Sequence, residues 1–149
     1  MATDLQLVRE LAAAAQWLGV VATTRADGSV HASLVNAGVL DDPVGGEPVV
    51  GLVAAGGARK LVHLRRSGRA SVTFHQGWRW VSVEGPARIV GPDDPNAGVA
   101  PSAVPGLLRA VFQAAGGSHD DWDEYDRVMA AERRAAVLIQ PDRVITNRQ

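Results

Sequence analysis

The chain contains no cysteine. A disulfide framework, thiolate metal ligation and thiol catalysis are thereby excluded. An excess of one charge is also missing: 15 Lys and Arg against 16 Asp and Glu leave a formal net charge of -1. Such a balance carries no electrostatic footprint for nucleic acid. No apolar run approaches the ~20 residues that a membrane-spanning helix needs. Asp4 and Glu10 sit where a leader would carry a basic segment and then an apolar one. The four histidines, His31, His63, His75 and His119, fall in no metal-ligand spacing. Ser33, Ser71 and Ser82 lie outside any nucleophile-elbow pattern, and no Ser-His-Asp set stands out. These absences predict a soluble, cytoplasmic protein with neither nucleic acid nor membrane as partner and with no metal.

The remaining composition is that of an ordinary globular chain: 149 residues, 46% hydrophobic and 21% charged. One domain over residues 1–149 is expected. A chain of this length buries roughly 68–70% of its unfolded surface, so it folds without staples.

Residues 4–17 have the apolar spacing of an amphipathic helix, with Thr3 or Asp4 as its cap and Gly19 as its end. The period then changes to two. Residues 20–25 and 30–39 read as a hairpin around Asp27-Gly28. Further strands are predicted at 49–54, 69–75, 78–84 with a bend at Gly85-Pro86 and continuation over 87–90, then 135–140 and 143–146. Helices are predicted at 58–66, 104–115 and 120–134, the last one capped by the His119-Asp120-Asp121 cluster. Short strands joined as hairpins, with helices attached, argue for a mainly β (α+β) antiparallel barrel rather than βαβ units.

Two segments carry chemical interest. In Ala54-Ala55-Gly56-Gly57-Ala58-Arg59-Lys60 a strand ends, glycines follow, and a helix begins with two cations. Free N–H groups and the helix dipole favour an anion at such a place. It is not a Walker A pattern, so a helix start with solvated cations stands beside a phosphate cradle as a reading. In Trp78-Arg79-Trp80 the two indoles would share one face of a strand. They suit either a surface covered by a partner or planar ligand, or plain barrel packing.

In order and spacing, these segments resemble the pyridoxamine 5'-phosphate oxidase-like superfamily, and within it the flavin and deazaflavin oxidoreductases of actinobacteria. The likeness rests on Val20-Val21-Ala22-Thr23-Thr24 with Asp27-Gly28 and Val30-His31-Ala32-Ser33-Leu34-Val35. It continues through the helix and strand of residues 58–66 and 69–72. Val81-Ser82-Val83-Glu84-Gly85-Pro86-Ala87 and residues 133–139 with Pro141-Asp142-Arg143-Val144 complete it.

The resemblance implies an FMN-binding-like split β-barrel that works as a homodimer, with a cofactor at the subunit interface. By position, Lys60, with Arg59 beside it, would hold the cofactor phosphate. Val35 and Asn36 would lie along the ring system. Ala54 and Ala55 would meet the ribityl–phosphate region through backbone, where relatives often carry Ser or Thr. Trp78 would reach the ring from the partner chain. The chain ends Val144-Ile145-Thr146-Asn147-Arg148-Gln149, without the Arg/His-bearing segment of the true pyridoxamine phosphate oxidases, so oxidation of that substrate is not expected.

The expected function is an oxidoreductase. Reduced deazaflavin coenzyme F420 would deliver hydride to an electron-poor double bond of a small organic substrate. The cations Arg59, Lys60, Arg65 and Arg66 would also meet its oligoglutamate tail. FMN as cofactor, and a carrier that binds F420 without turnover, are the alternatives. Tyr125, His75 or a water would supply the proton.

Overall fold

The computed structural model describes residues 5–95 and 98–147. It is mainly β, with four α-helices. Helix α1 (Gln6–Ala14) turns Val8, Leu11 and Ala12 inward at helical spacing. The expected caps Thr3 and Asp4 lie outside the described residues. The predicted helix end at Gly19 is corrected. Gln16 and Trp17 adopt left-handed φ values of 58° and 62°, which an α-helix cannot continue. Gly19 instead pairs with Val35 inside β1 (Leu18–Thr24).

A turn with Gly28 at φ 87° leads to β2 (Val30–Asp41). Asp27 Oδ1 fixes that turn by accepting from the Ser29 amide at 3.0 Å and the Ser29 hydroxyl at 2.6 Å. Next come β3 (Pro48–Ala54), α2 (Arg59–Ser67), β4 (Arg69–Gln76) and β5 (Arg79–Val90). A 3-10 turn at Pro101–Ala103 and helices α3 (Val104–Ala114) and α4 (Trp122–Ala131) separate β5 from β6 (Ala135–Ile139) and β7 (Arg143–Thr146). Asp121 caps α4 by accepting from the Glu124 amide at 3.1 Å. This helix stops short of the predicted residue 134 because Arg133 takes φ 50°.

The strands run antiparallel in the order β4-β1-β2-β3-β6-β5, and pairing of β4 with β5 closes a six-stranded barrel. Strand β7 is added along β5. The two 12-residue strands make the split. Residues Val30–Asn36 of β2 pair with β1, and Ala37–Asp41 with β3. Likewise β5 pairs with β4 through Pro86 and with β6 from Ala87. Gly85 sits at this crossover, where an added Cβ would overlap the carbonyl oxygen of Gln140.

One core cluster joins Val21, Val72, Phe74 and Val83 of the barrel to Leu11 of α1 and Leu61 of α2. A second gathers Val49 and Leu138 beneath Leu108 and Val111 of α3 and Tyr125 of α4. Outside the barrel, Leu18, Val20, Val30 and Leu34 of β1 and β2 stay exposed, with Val30 at 61% and Leu34 at 65%. The predicted strand at residue 78 is also corrected. Trp78 occupies the turn before β5 and is 90% exposed, while Trp80 on β5 is half-buried. Among the described residues no helix is long and apolar enough to cross a membrane.

Candidate functional site

The end of β3 delivers the chain to α2 through Ala55-Gly56-Gly57-Ala58. Gly56 allows this loop to dock on the turn that follows α4. Its amide donates to the Glu132 carbonyl at 3.0 Å. A Cβ at Gly56 would lie 2.7 Å from the Arg133 carbonyl oxygen. The docking brings Lys60 and Arg134 to the wall of one cavity of about 440 Å³.

Val35 and Asn36 of β2 with Ala54 at the end of β3 and Ala55 just beyond it form one side of this cavity. Val111, Phe112, Tyr125 and Met129, from α3 and α4, form the other. Apolar walls with a few convergent polar groups are the usual make-up of a small-molecule site.

The polar end is cationic. No side chain caps the first turn of α2, and such a turn carries N–H groups without intrahelical acceptors. Burial, and then the charge of Arg134, push the Lys60 ammonium below the ordinary lysine range. Among the described residues Lys60 forms no ion pair, while Arg134 donates to Glu132 at 2.8 Å. An anion seated there would relieve the repulsion between Lys60 and Arg134 and meet the positive end of α2.

Five of the residues expected at the site, Val35, Asn36, Ala54, Ala55 and Lys60, line this one cavity. Arg59 does not. It lines a separate cavity with Arg25, His31 and His63. Within this chain Trp78 lines neither. Arg65, expected to face a ligand, is instead held by both carboxylate oxygens of Asp94, at 2.9 and 2.7 Å.

Of the two side chains named as proton sources, His75 is exposed at the end of β4, with Nδ1 3.3 Å from the Gly77 carbonyl oxygen. Tyr125 lines the cavity, but its hydroxyl donates to the Leu108 carbonyl at 3.1 Å, and burial raises its pKa.

Sequence reasoning missed the wall made by α3 and α4, and Arg134 with it. The signal was present as the stripe Trp122, Tyr125, Met129, which suits a core face equally well. A neighbouring apolar cavity of about 360 Å³ shares Met129 and Arg134 with this site. Among the described residues no group of His, Asp or Glu converges as a metal site.

The closed six-stranded antiparallel barrel is consistent with the split barrel of the pyridoxamine 5'-phosphate oxidase family. The model of the pyridoxamine 5'-phosphate oxidase family matches residues 7–146, and the chain belongs to that family. Among solved structures it is similar to a conserved hypothetical protein of Mycobacterium tuberculosis, with a TM-score of 0.70, 23% identity and coverage of 98% of this chain and 85% of that one. It is also similar to a pyridoxamine 5'-phosphate oxidase-related, FMN-binding protein of Nostoc punctiforme, with a TM-score of 0.68 and 9% identity over 98% and 85% of the two chains. An F420 reductase matches with a TM-score of 0.58 and 13% identity over 87% of this chain and 90% of that one. At these identities the structures establish the shared fold.

Proposed function

We propose that this chain is an oxidoreductase that binds reduced coenzyme F420 and reduces an electron-poor double bond of a small organic substrate. The observation behind this reading is a single cavity with apolar walls and an unpaired lysine at an uncapped helix start. The donor set fits the group. Lys60 and the first turn of α2 would hold a phosphate, with Arg134 setting the field beside them. Ala54 and Ala55, with no side chain beyond Cβ, allow close backbone approach. Val35, Val111 and Phe112 exclude water from a ring system. Asn36 is held in one orientation by donating to the Gln16 carbonyl at 3.3 Å.

The deazaflavin supplies hydride when bound, and the protein supplies position and electrostatics. With the Tyr125 hydroxyl committed to Leu108 and His75 outside the cavity, a water molecule is the proton source. F420 is preferred to FMN on charge. Lys60 and Arg134 at one end of the cavity suit a phosphodiester followed by an anionic tail.

The reading includes a homodimer. Leu18, Val20, Val30 and Leu34 form an exposed apolar strip, and Leu34 also borders the cavity. A second copy seated there would cover the strip and close the site, with the partner's Trp78 within reach.

The test is turnover. Reduced F420 mixed with the protein and a panel of enones and quinones is expected to lose its reduced absorbance in step with product formation. Binding of F420 with no oxidation across the panel would favour a carrier instead.

A further inference from the structure

On the far side of Arg59 lies a second cavity, of about 390 Å³, that the cofactor reading does not use. Helix α2 sends a full stripe into it: Arg59, Val62, His63 and Arg66, at the spacing of one helical face. Arg25 from the end of β1 and His31 from β2 complete the wall. No carboxylate lines it. Arg25 donates to the Val30 carbonyl at 2.9 Å, and Arg66 donates to the Thr24 carbonyl. Both guanidinium groups are thus positioned by neutral acceptors rather than by an ion pair. Among the described residues neither these two nor Arg59 pairs with a carboxylate within ion-pair distance.

The Asp27 carboxylate feels the charge of Arg25 and accepts from the Ser29 amide and hydroxyl. The two imidazoles stand edge to face, 5.3 Å apart. His63 Nδ1 shares a hydrogen bond of 2.9 Å with the Thr23 hydroxyl. His31 Nδ1 is buried without a partner.

We propose that this cavity is a binding site for the phosphoryl group of a small metabolite, distinct from the Lys60 cavity. Three guanidinium groups offer forked donors matched to phosphate oxygens. A phosphate monoester carries a charge of about -1.5 to -2 near neutrality, which the guanidinium groups complement. The cavity is larger than a free phosphate needs, so an ester is expected to bind more tightly than the bare ion. Burial, and then His31, Arg59, Arg25 and Arg66, keep His63 below the ordinary histidine range. A bound dianion offsets that field at His63.

The full chain is titrated with inorganic phosphate and with ribose 5-phosphate at constant ionic strength, near pH 6.5. The imidazole C2 proton resonances are followed by NMR. His31 and His63 are expected to shift saturably while His75 and His119 stay still, with ribose 5-phosphate the tighter of the two. Loss of one charged contact in Arg66→Gln or Arg25→Gln should weaken phosphate about tenfold. Lys60→Ala should leave phosphate affinity unchanged while lowering F420 affinity, so the two cavities fail independently. Unsaturable shifts, equal shifts at all four histidines, or tighter binding of inorganic phosphate than of the ester would overturn the proposal. So would loss of phosphate binding in Lys60→Ala with retention in Arg66→Gln.

Discussion

Arg59 and Lys60 are neighbours in sequence and were expected to serve one phosphate. On a helix, successive side chains diverge by about 100°. Lys60 therefore faces the cavity between β2, β3, α3 and α4, while Arg59 joins His63 and Arg66 on the adjacent face. The local pattern of strand end, glycines and helix start made Lys60 legible. The angular separation is equally present in the sequence, once the helix register is fixed. Arg65 was illegible for another reason: its partner Asp94 lies 29 positions away.

At the same scale, His63 carries a prediction about pH. Its pKa in the folded protein lies below the ordinary 6.5, through burial first and then the positive charges around it. Above that value it is neutral in both states and contributes no pH dependence. As pH falls through about 6.5, the unfolded chain takes up the proton and the folded chain resists it, so stability declines. The thermal midpoint of the wild type should therefore drop more between pH 7.5 and 5.5 than that of His63→Gln. Parallel profiles for the two proteins would show that His63 does not report this field.

The elements themselves were largely readable. Strict alternation marked β4 with Ala70, Val72 and Phe74 inward, and β5 with Val81 and Val83 inward, because each strand has one face on the core. The hairpin of β1 and β2 followed from Asp27-Gly28. The end of α1 escaped notice because left-handed Gln16 and Trp17 carry no compositional mark. Their conformation is imposed by the return into β1, where Trp17 accepts from the Ala37 amide at 2.9 Å.

Gly85 bears the element-scale prediction. It sits where β5 passes from β4 to β6, and a methyl group there meets the Gln140 carbonyl oxygen and Asp142. Gly85→Ala should cost ~1–3 kcal/mol, as overpacking at a closed contact does. Chemical denaturation measures it, with Gly45→Ala, which meets nothing within 4 Å, as the control. Equal stability of the two variants would mean that the crossover has room to spare.

For the whole molecule, hairpin order suggested a barrel, but its closure depends on contacts between β1 and β4 and between β3 and β6 that no local pattern encodes. The outer apolar strip was likewise hidden. Leu18, Val20, Val30 and Leu34 look like core residues until the register turns them outward. This exposed apolar strip is where the proposed homodimer would meet. Light scattering at micromolar concentration should report twice the chain mass of 15.7 kDa. Leu34→Asp should shift the population toward monomer and weaken cofactor binding with it. A monomeric wild type would remove the shared-site reading.

In the proposed reading a tailed deazaflavin, anchored at Lys60, fills the cavity at the barrel seam. Calorimetric titration with F420, its tail-less precursor and FMN tests this most directly, repeated on Lys60→Ala and Arg66→Ala. F420 should bind most tightly, and increasing salt should weaken it. Lys60→Ala should lower its affinity by roughly tenfold or more, as loss of a charged phosphate contact worth ~1.5–3 kcal/mol requires, with Arg66→Ala close to wild type. Tighter binding of FMN than of full-length F420, or equal affinity of the two variants, would contradict the account.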